Sequence, residues 1–163
     1  MSMRAEPVFS IATRVYWEDT DAGGVVYHAQ YLAFLERARS DWMRALGYGQ
    51  EILRGDHDLL FAVRAMRIDF RKPARLDDTV RVSVALRECR RASLIVAQAI
   101  DLGGVRLLDA EVRVAALGAR DFRPRPIPES LHKILKPLET YFPAANKIEA
   151  KQIEANPIKP GTE

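Results

Sequence analysis

The chain has 163 residues, 48% of them hydrophobic and 29% charged, which is enough apolar material for one domain with a real core. A net charge of +3 is too small to argue for a nucleic-acid partner, although it suits an acidic ligand. The single cysteine, Cys89, excludes an internal disulfide and fits a reducing compartment.

Met1–Ile11 contains Arg4, Glu6 and Pro7 and no apolar segment of a signal peptide, and no run approaches bilayer length, so a cytoplasmic location is expected. Phe9 to Trp17 then alternates, with Phe9, Ile11, Val15 and Trp17 on one phase, which predicts a half-buried strand. An acidic loop containing Gly23 and Gly24 leads into the longest helical pattern of the chain. Tyr31, Leu35, Ala38, Trp42 and Leu46 define one face of that helix. Leu32, Ala33 and Phe34 make its first half apolar elsewhere too, so it is expected to be wrapped by other elements. Gly47 stands where a C-terminal cap belongs, and Arg37, Arg39 and Arg44 bias towards the negative end of the dipole.

The start of this helix is the candidate site. Tyr27 and His28, just ahead of the periodic run, are poor caps, so the first amide N–H groups are expected to be open. Gly23 and Gly24 remove side-chain bulk from the approach. Open donors and the dipole favour negative charge, including charge that develops on a carbonyl oxygen during reaction. A carboxylate beside them can act as nucleophile or as general base on water, and Asp21 is the candidate. A second reading of Asp21 stands beside this one: it forms a turn with Thr20 and caps the helix.

Tyr48–Asp58 is polar and predicts a short helix over Gln50–Arg54 followed by a loop. His28, His57 and His132 stand singly, and with one distant cysteine they give no metal-ligand spacing, so no metal is expected. In Leu59–Phe70 the apolar phase changes from Phe61, Val63 and Ala65 to Met66, Ile68 and Phe70, which predicts a strand with a bulge. Arg71–Asp78 reads as a turn. Val80–Arg87 and Ser93–Asp101 read as strands, Leu102-Gly103-Gly104-Val105 as a hairpin connection, and Val105–Leu117 as the strand that closes the sheet. Arg123-Pro124-Arg125-Pro126 ends the sheet, and Glu129–Tyr141 predicts a last helix. The domain is read as 1–142, followed by a polar tail, 143–163, expected to be disordered. The class is α+β: one long helix, then an antiparallel meander curved around it.

Tyr16-x-Glu18-Asp19-Thr20-Asp21-Ala22-Gly23-Gly24-Val25-Val26-Tyr27-His28-x-x-Tyr31, followed by Phe34-Leu35-Glu36-x-Ala38-Arg39, resembles the 4-hydroxybenzoyl-CoA thioesterase family. More narrowly it resembles the Tol-Pal-associated (YbgC-like) acyl-CoA thioesterase branch. Phe70-x-x-Pro73-Ala74-Arg75-Leu76-Asp77-Asp78 continues the likeness, which spans about Ser10 to Pro126. The resemblance implies a hotdog fold, a homotetramer built as a dimer of dimers with sites between subunits, and hydrolysis of acyl-CoA to free acid and coenzyme A. It places Asp21 at the family's catalytic aspartate and the backbone N–H near His28 at the donor that polarises the thioester carbonyl. The His28 ring either orients the acyl group or thiol, or simply packs.

Gly23, Gly24, Val25, Val26, Tyr27 and Tyr31 complete the implied substrate surface. Arg71, Lys72, Arg90 and Arg91, with Arg120 and Arg125, are candidates for the coenzyme A phosphates, though each taken singly reads as a solvated surface charge. No glycine-rich phosphate loop is present, and no cofactor is expected beyond the coenzyme A of the substrate. An acyl carrier protein is a possible partner because it presents a similar thioester. Cell-envelope partners are suggested only by the branch name. The alternatives are a hotdog hydratase or dehydratase, which lacks support in a Gly-Pro-rich histidine segment, and a non-catalytic acyl-CoA or acyl carrier protein binder, which would lack the carboxylate.

Overall fold

A computed structural model describes residues 7–140 of the chain; the tail, and the end of the domain at 141–142, lie outside the described residues. Strand β1 (Phe9–Arg14) is followed by helices α1 (Gln30–Ala45) and α2 (Gln50–His57). Strands β2 (Leu59–Phe70), β3 (Thr79–Cys89), β4 (Ser93–Leu102) and β5 (Val105–Gly118) and helix α3 (Glu129–Leu135) complete the order. All pairings are antiparallel, in the order β1-β3-β4-β5-β2, so β1 and β2 are the edges of a five-stranded sheet.

Helix α1 lies on one face of this sheet. Tyr31, Phe34, Leu35, Ala38, Trp42 and Met43 are buried, and each large side chain removed from water contributes about 1.5–3 kcal/mol. Leu32 stays 38% exposed, so the sheet of one chain covers the helix on one side only. Leu46 is the C-cap and Gly47 follows at φ +85, where a Cβ would be strained. The Tyr48 N–H donates to the Met43 carbonyl, closing the helix end. A sheet curved over one central helix is the hotdog arrangement.

The bulge foreseen in β2 falls between Val63 and Ala65, with Arg64 as the extra residue. Its effect is to put Phe61, Val63, Met66, Ile68 and Phe70 on one face, opposite the inward Ala116, Val114, Val112, Ala110 and Leu108 of β5. Ala65, grouped with Phe61 and Val63 from the sequence, falls on the other face. A further bulge in β3, between Leu86 and Glu88, carried no signal in the alternation.

Three boundaries differ from the sequence reading. β1 stops at Arg14 because Trp17–Asp19 forms a 3-10 turn, in which the Asp19 carboxylate accepts the Tyr16 N–H at 2.8 Å. Trp17 therefore points outward, 81% exposed, rather than joining the inward phase. α2 runs three residues beyond Arg54 to His57, ending on Asp58 in the left-handed region. α3 stops at Leu135 and tightens to a 3-10 turn over Lys136–Leu138, where Pro137 has no N–H to donate. Among the described residues no helix is long and apolar enough to cross a membrane.

Candidate active site

The loop between β1 and α1 is built from its own backbone. The Asp21 N–H donates to the Val25 carbonyl, and the Gly24 N–H donates back to the Asp21 carbonyl, both at 3.0 Å. Gly24 takes φ +74, which the turn requires and a side chain would resist. Thr20 and Val26 bridge across the neck of the loop. The Val26 N–H is spent on the Ala74 carbonyl at 2.9 Å, which lashes the loop to the segment after β2.

Two aspartates in this loop do different work. Asp19 is buried, 3% exposed, and holds the preceding turn. Asp21 is exposed; its Oδ1 accepts the Gly23 N–H at 2.8 Å, while Oδ2 has no hydrogen-bond partner among the described residues. The turn-forming reading of Asp21 thus holds, through Gly23 rather than Thr20. The capping reading does not: the helix N-cap is Ala29, with no side-chain cap at all. Among the described residues no acceptor is paired with the N–H of His28 or of Ala29. The sixteen-residue helix therefore begins with open donors at its positive end, as the lack of a capping residue foretold.

Next to those donors lies a depression of about 280 Å³, walled by Val26, His28, Tyr31, Phe70, Arg71, Lys72 and Pro73. Asp21 is not part of its wall; it stands on the adjoining turn. The Tyr31 hydroxyl accepts the Ala74 N–H at 2.9 Å and pins the far rim. Burial, the largest cause, pushes the Tyr31 phenol above its ordinary pKa; the Ala74 N–H pulls it back, and the Asp78 and Asp21 carboxylates push it up again. The Tyr31 and Phe70 rings meet at 5.8 Å and floor the depression, and the edge of Tyr27 meets His28 at 4.6 Å. Gly23, Gly24 and Val25 stay on the turn outside it.

The structure splits the basic candidates. Lys72 is exposed at the depression and has no ion pair among the described residues. Arg71 is there too, but its Nε is 2.6 Å from Asp109 and its Nη2 3.5 Å from Asp69. Arg90 and Arg91 follow β3, at the opposite end of the sheet, on the order of 30 Å away at about 3.3 Å per strand residue. Arg90 is paired there with Glu88, and Arg120 and Arg125 face Asp58 at that same end. Of these six candidates, all among the described residues, Arg71 and Lys72 are the two that approach the site within one chain.

Sequence reasoning also missed a polar bridge under the helix. Gln98 of β4 is 3% exposed; its Nε2 donates to the Leu35 carbonyl at 3.0 Å, and its Oε1 accepts from Arg39 Nη1 at 2.8 Å. The one available signal was Gln98 standing in phase with Leu94, Val96 and Ile100, a polar residue on the inward face.

Comparison with known proteins bears on the family and the fold. Residues 15–135 match the family model of the thioesterase-like superfamily. The acyl-CoA thioesterase YbgC of Haemophilus influenzae is 39% identical over 123 residues, covering 76% of this chain and 90% of that one. The acyl-CoA thioester hydrolase YbgC of Escherichia coli is 40% identical over 125 residues, covering 76% and 92%. Among solved structures, a probable thioesterase from Bartonella henselae superposes with a TM-score of 0.70 at 35% identity, covering 73% of this chain and 98% of that one. With a match of that extent and a hotdog sheet around the same helix, the chain belongs to the thioesterase-like superfamily.

Proposed function

We propose that this protein hydrolyses acyl-CoA thioesters to a free acid and coenzyme A. The observation that carries the reading is the open start of α1: His28 and Ala29 N–H groups without an acceptor among the described residues, with Asp21 and its uncommitted Oδ2 on the adjoining turn. A thioester carbonyl aimed at those donors would gain stabilisation as its oxygen becomes anionic, in a site already organised for negative charge. Asp21 supplies the carboxylate. It either takes a proton from the attacking water or attacks the carbonyl carbon, giving an anhydride that water then cleaves; the thiolate of coenzyme A leaves and is protonated. Single turnover in heavy-oxygen water tests this: solvent oxygen can enter the Asp21 carboxylate only from an anhydride opened at the Asp21 carbon, whereas direct attack by water labels the product acid alone. Lys72, in the wall of the depression and without an ion pair among the described residues, is the cation offered to the phosphates of coenzyme A. An acyl carrier protein thioester offers the same chemistry as substrate, and the reading implies work in the cytoplasm.

Incubation with acetyl-, hydroxybenzoyl- and palmitoyl-CoA and a thiol reagent tests this. Free thiol is expected from at least one of them. A changed acyl chain on an intact thioester would instead indicate a hydratase, and binding without turnover a sensor.

The same reading includes a homotetramer made of two dimers. Supporting it, β2 is an open edge, and Val63 and Phe70 on its helix-side face are 48% and 50% exposed. Light scattering at micromolar protein is expected to give four times the chain mass; a fully active monomer would contradict this.

A further inference from the structure

We propose that Tyr31 is a positioning residue of the site: by accepting the Ala74 N–H, its hydroxyl sets the separation between Asp21 and the open start of α1. The proposal rests on the thioesterase reading and adds the residue that keeps the two halves of that site in register.

The sequence creates the need for such a residue. A helix that starts on Ala29 has no side-chain cap to hold its first turn. Asp21 stands seven residues before His28, on a turn that contains Gly23 and Gly24. Left to themselves, the helix start and the turn would shift against each other. Misplacing a reacting group by about 1 Å can cost about a hundredfold in rate.

Ala74 supplies the tie. Tyr31 lies in the first turn of α1, three residues after His28. Its hydroxyl accepts the Ala74 N–H at 2.9 Å, and the Ala74 carbonyl accepts the Val26 N–H, also at 2.9 Å. Val26 bridges to Thr20, and the neighbouring Val25 carbonyl accepts the Asp21 N–H at 3.0 Å. Ala74 therefore holds the helix with its N–H and the loop of Asp21 with its carbonyl.

Both ends of the tie are firm. The Tyr31 side chain is 4% exposed, with its ring 6.1 Å from that of Phe34 and 5.8 Å from that of Phe70. Ala74 is fully buried, and the residues after it are anchored to Val15, just past β1. There the Val15 N–H donates to the Asp78 carbonyl at 2.8 Å, and the Asp77 N–H donates to the Val15 carbonyl at 3.0 Å. Burial is the main reason the Tyr31 phenol lies above its ordinary pKa, and the Asp21 carboxylate adds to it, so the two side chains share one electrostatic neighbourhood. Removing the hydroxyl strands a buried N–H, which Ala74 can relieve only by moving, and the loop of Asp21 moves with it.

The test is Tyr31→Phe, which keeps the ring and deletes the acceptor, assayed on the acyl-CoA that the wild type turns over fastest. Its kcat is expected to fall about ten- to a hundredfold, with KM within about threefold of wild type. In an Asp21→Asn background the same change should cost less than about threefold, because no carboxylate is left to align. Replacing Ala74 by lactic acid, its α-hydroxy analogue, deletes the same hydrogen bond from the donor side. That variant is judged by the same figures should Tyr31→Phe fail to fold. A Tyr31→Phe enzyme with wild-type kcat overturns the proposal. So does a rise in KM alone, which would make Tyr31 part of the substrate surface and nothing more, and so does a loss that persists undiminished in Asp21→Asn. A wild type that releases thiol from no acyl-CoA overturns the thioesterase reading and this proposal together; an active wild type with an equally active Tyr31→Phe overturns the proposal alone.

Discussion

Asp21→Asn is expected to lower kcat by about a hundred- to ten-thousand-fold, and by more if the carboxylate is the nucleophile. The substitution is nearly isosteric, and the asparagine carbonyl can still accept the Gly23 N–H that Asp21 Oδ1 accepts at 2.8 Å. The side chain is exposed and lies outside the core, so the change in stability should stay within about 0.5 kcal/mol. Rate and melting should therefore separate. Asp19→Ala is the control with the opposite signature. Its carboxylate is buried and closes the Trp17–Asp19 turn on the Tyr16 N–H, and losing such a cap costs about 1–2 kcal/mol. Thiol release and thermal unfolding measured on both variants decide the assignment. If Asp21→Asn turns over acyl-CoA at nearly the wild-type rate and melts earlier, Asp21 is only a turn residue and the site must be sought elsewhere.

Gln98→Leu should produce the largest stability loss of any single polar replacement in the sheet. Leucine nearly fills the volume of glutamine, so little of the effect would come from a cavity. What disappears is the acceptor for Arg39 Nη1 and the donor to the Leu35 carbonyl, in the middle of the helix–sheet interface. A half-buried guanidinium left without its partner costs far more than the pair contributes when intact, and about 2–4 kcal/mol is expected here. For a chain of this size that is a drop of roughly 5–15 °C in Tm. Adding Arg39→Met to Gln98→Leu should restore part of the loss, because then neither partner is stranded. If Gln98→Leu melts with the wild type, the bridge is incidental to the fold.

Several features of this molecule were legible residue by residue because their causes are local. The buried face of α1 follows from the spacing of Tyr31, Leu35, Ala38 and Trp42, since 3.6 residues per turn puts them above one another. The kink in β2 followed from the phase change between Ala65 and Met66, because a strand has period two and one extra residue reverses it; the structure puts that extra residue at Arg64. The open start of α1 followed from the lack of any Ser, Thr, Asp or Asn directly before Gln30, and its closed end from Gly47. The motif from Tyr16 to Tyr31 was enough to indicate the family, since it is long and continuous.

Other features depend on residues far apart in the chain, and their own alternation is silent about them. Trp17 has the right phase for a buried residue, yet Asp19 turns the backbone before it gets there, and only the folded loop shows that side chain in solvent. Asp19 and Asp21 look equivalent in sequence; the bridge from Thr20 to Val26 makes one a buried strut and leaves the other exposed. Arg90 and Arg91 look as eligible as Arg71 and Lys72 until the sheet is assembled. Antiparallel register then puts the end of β3 opposite the start of β4, and so at the pole away from the site. The Arg39–Gln98 bridge joins residues 59 apart in the chain. Periodicity determined which face each residue occupies, because backbone geometry repeats over a few residues. Which faces meet, and hence which charges share a site, was decided only when register brought distant strands and the helix together.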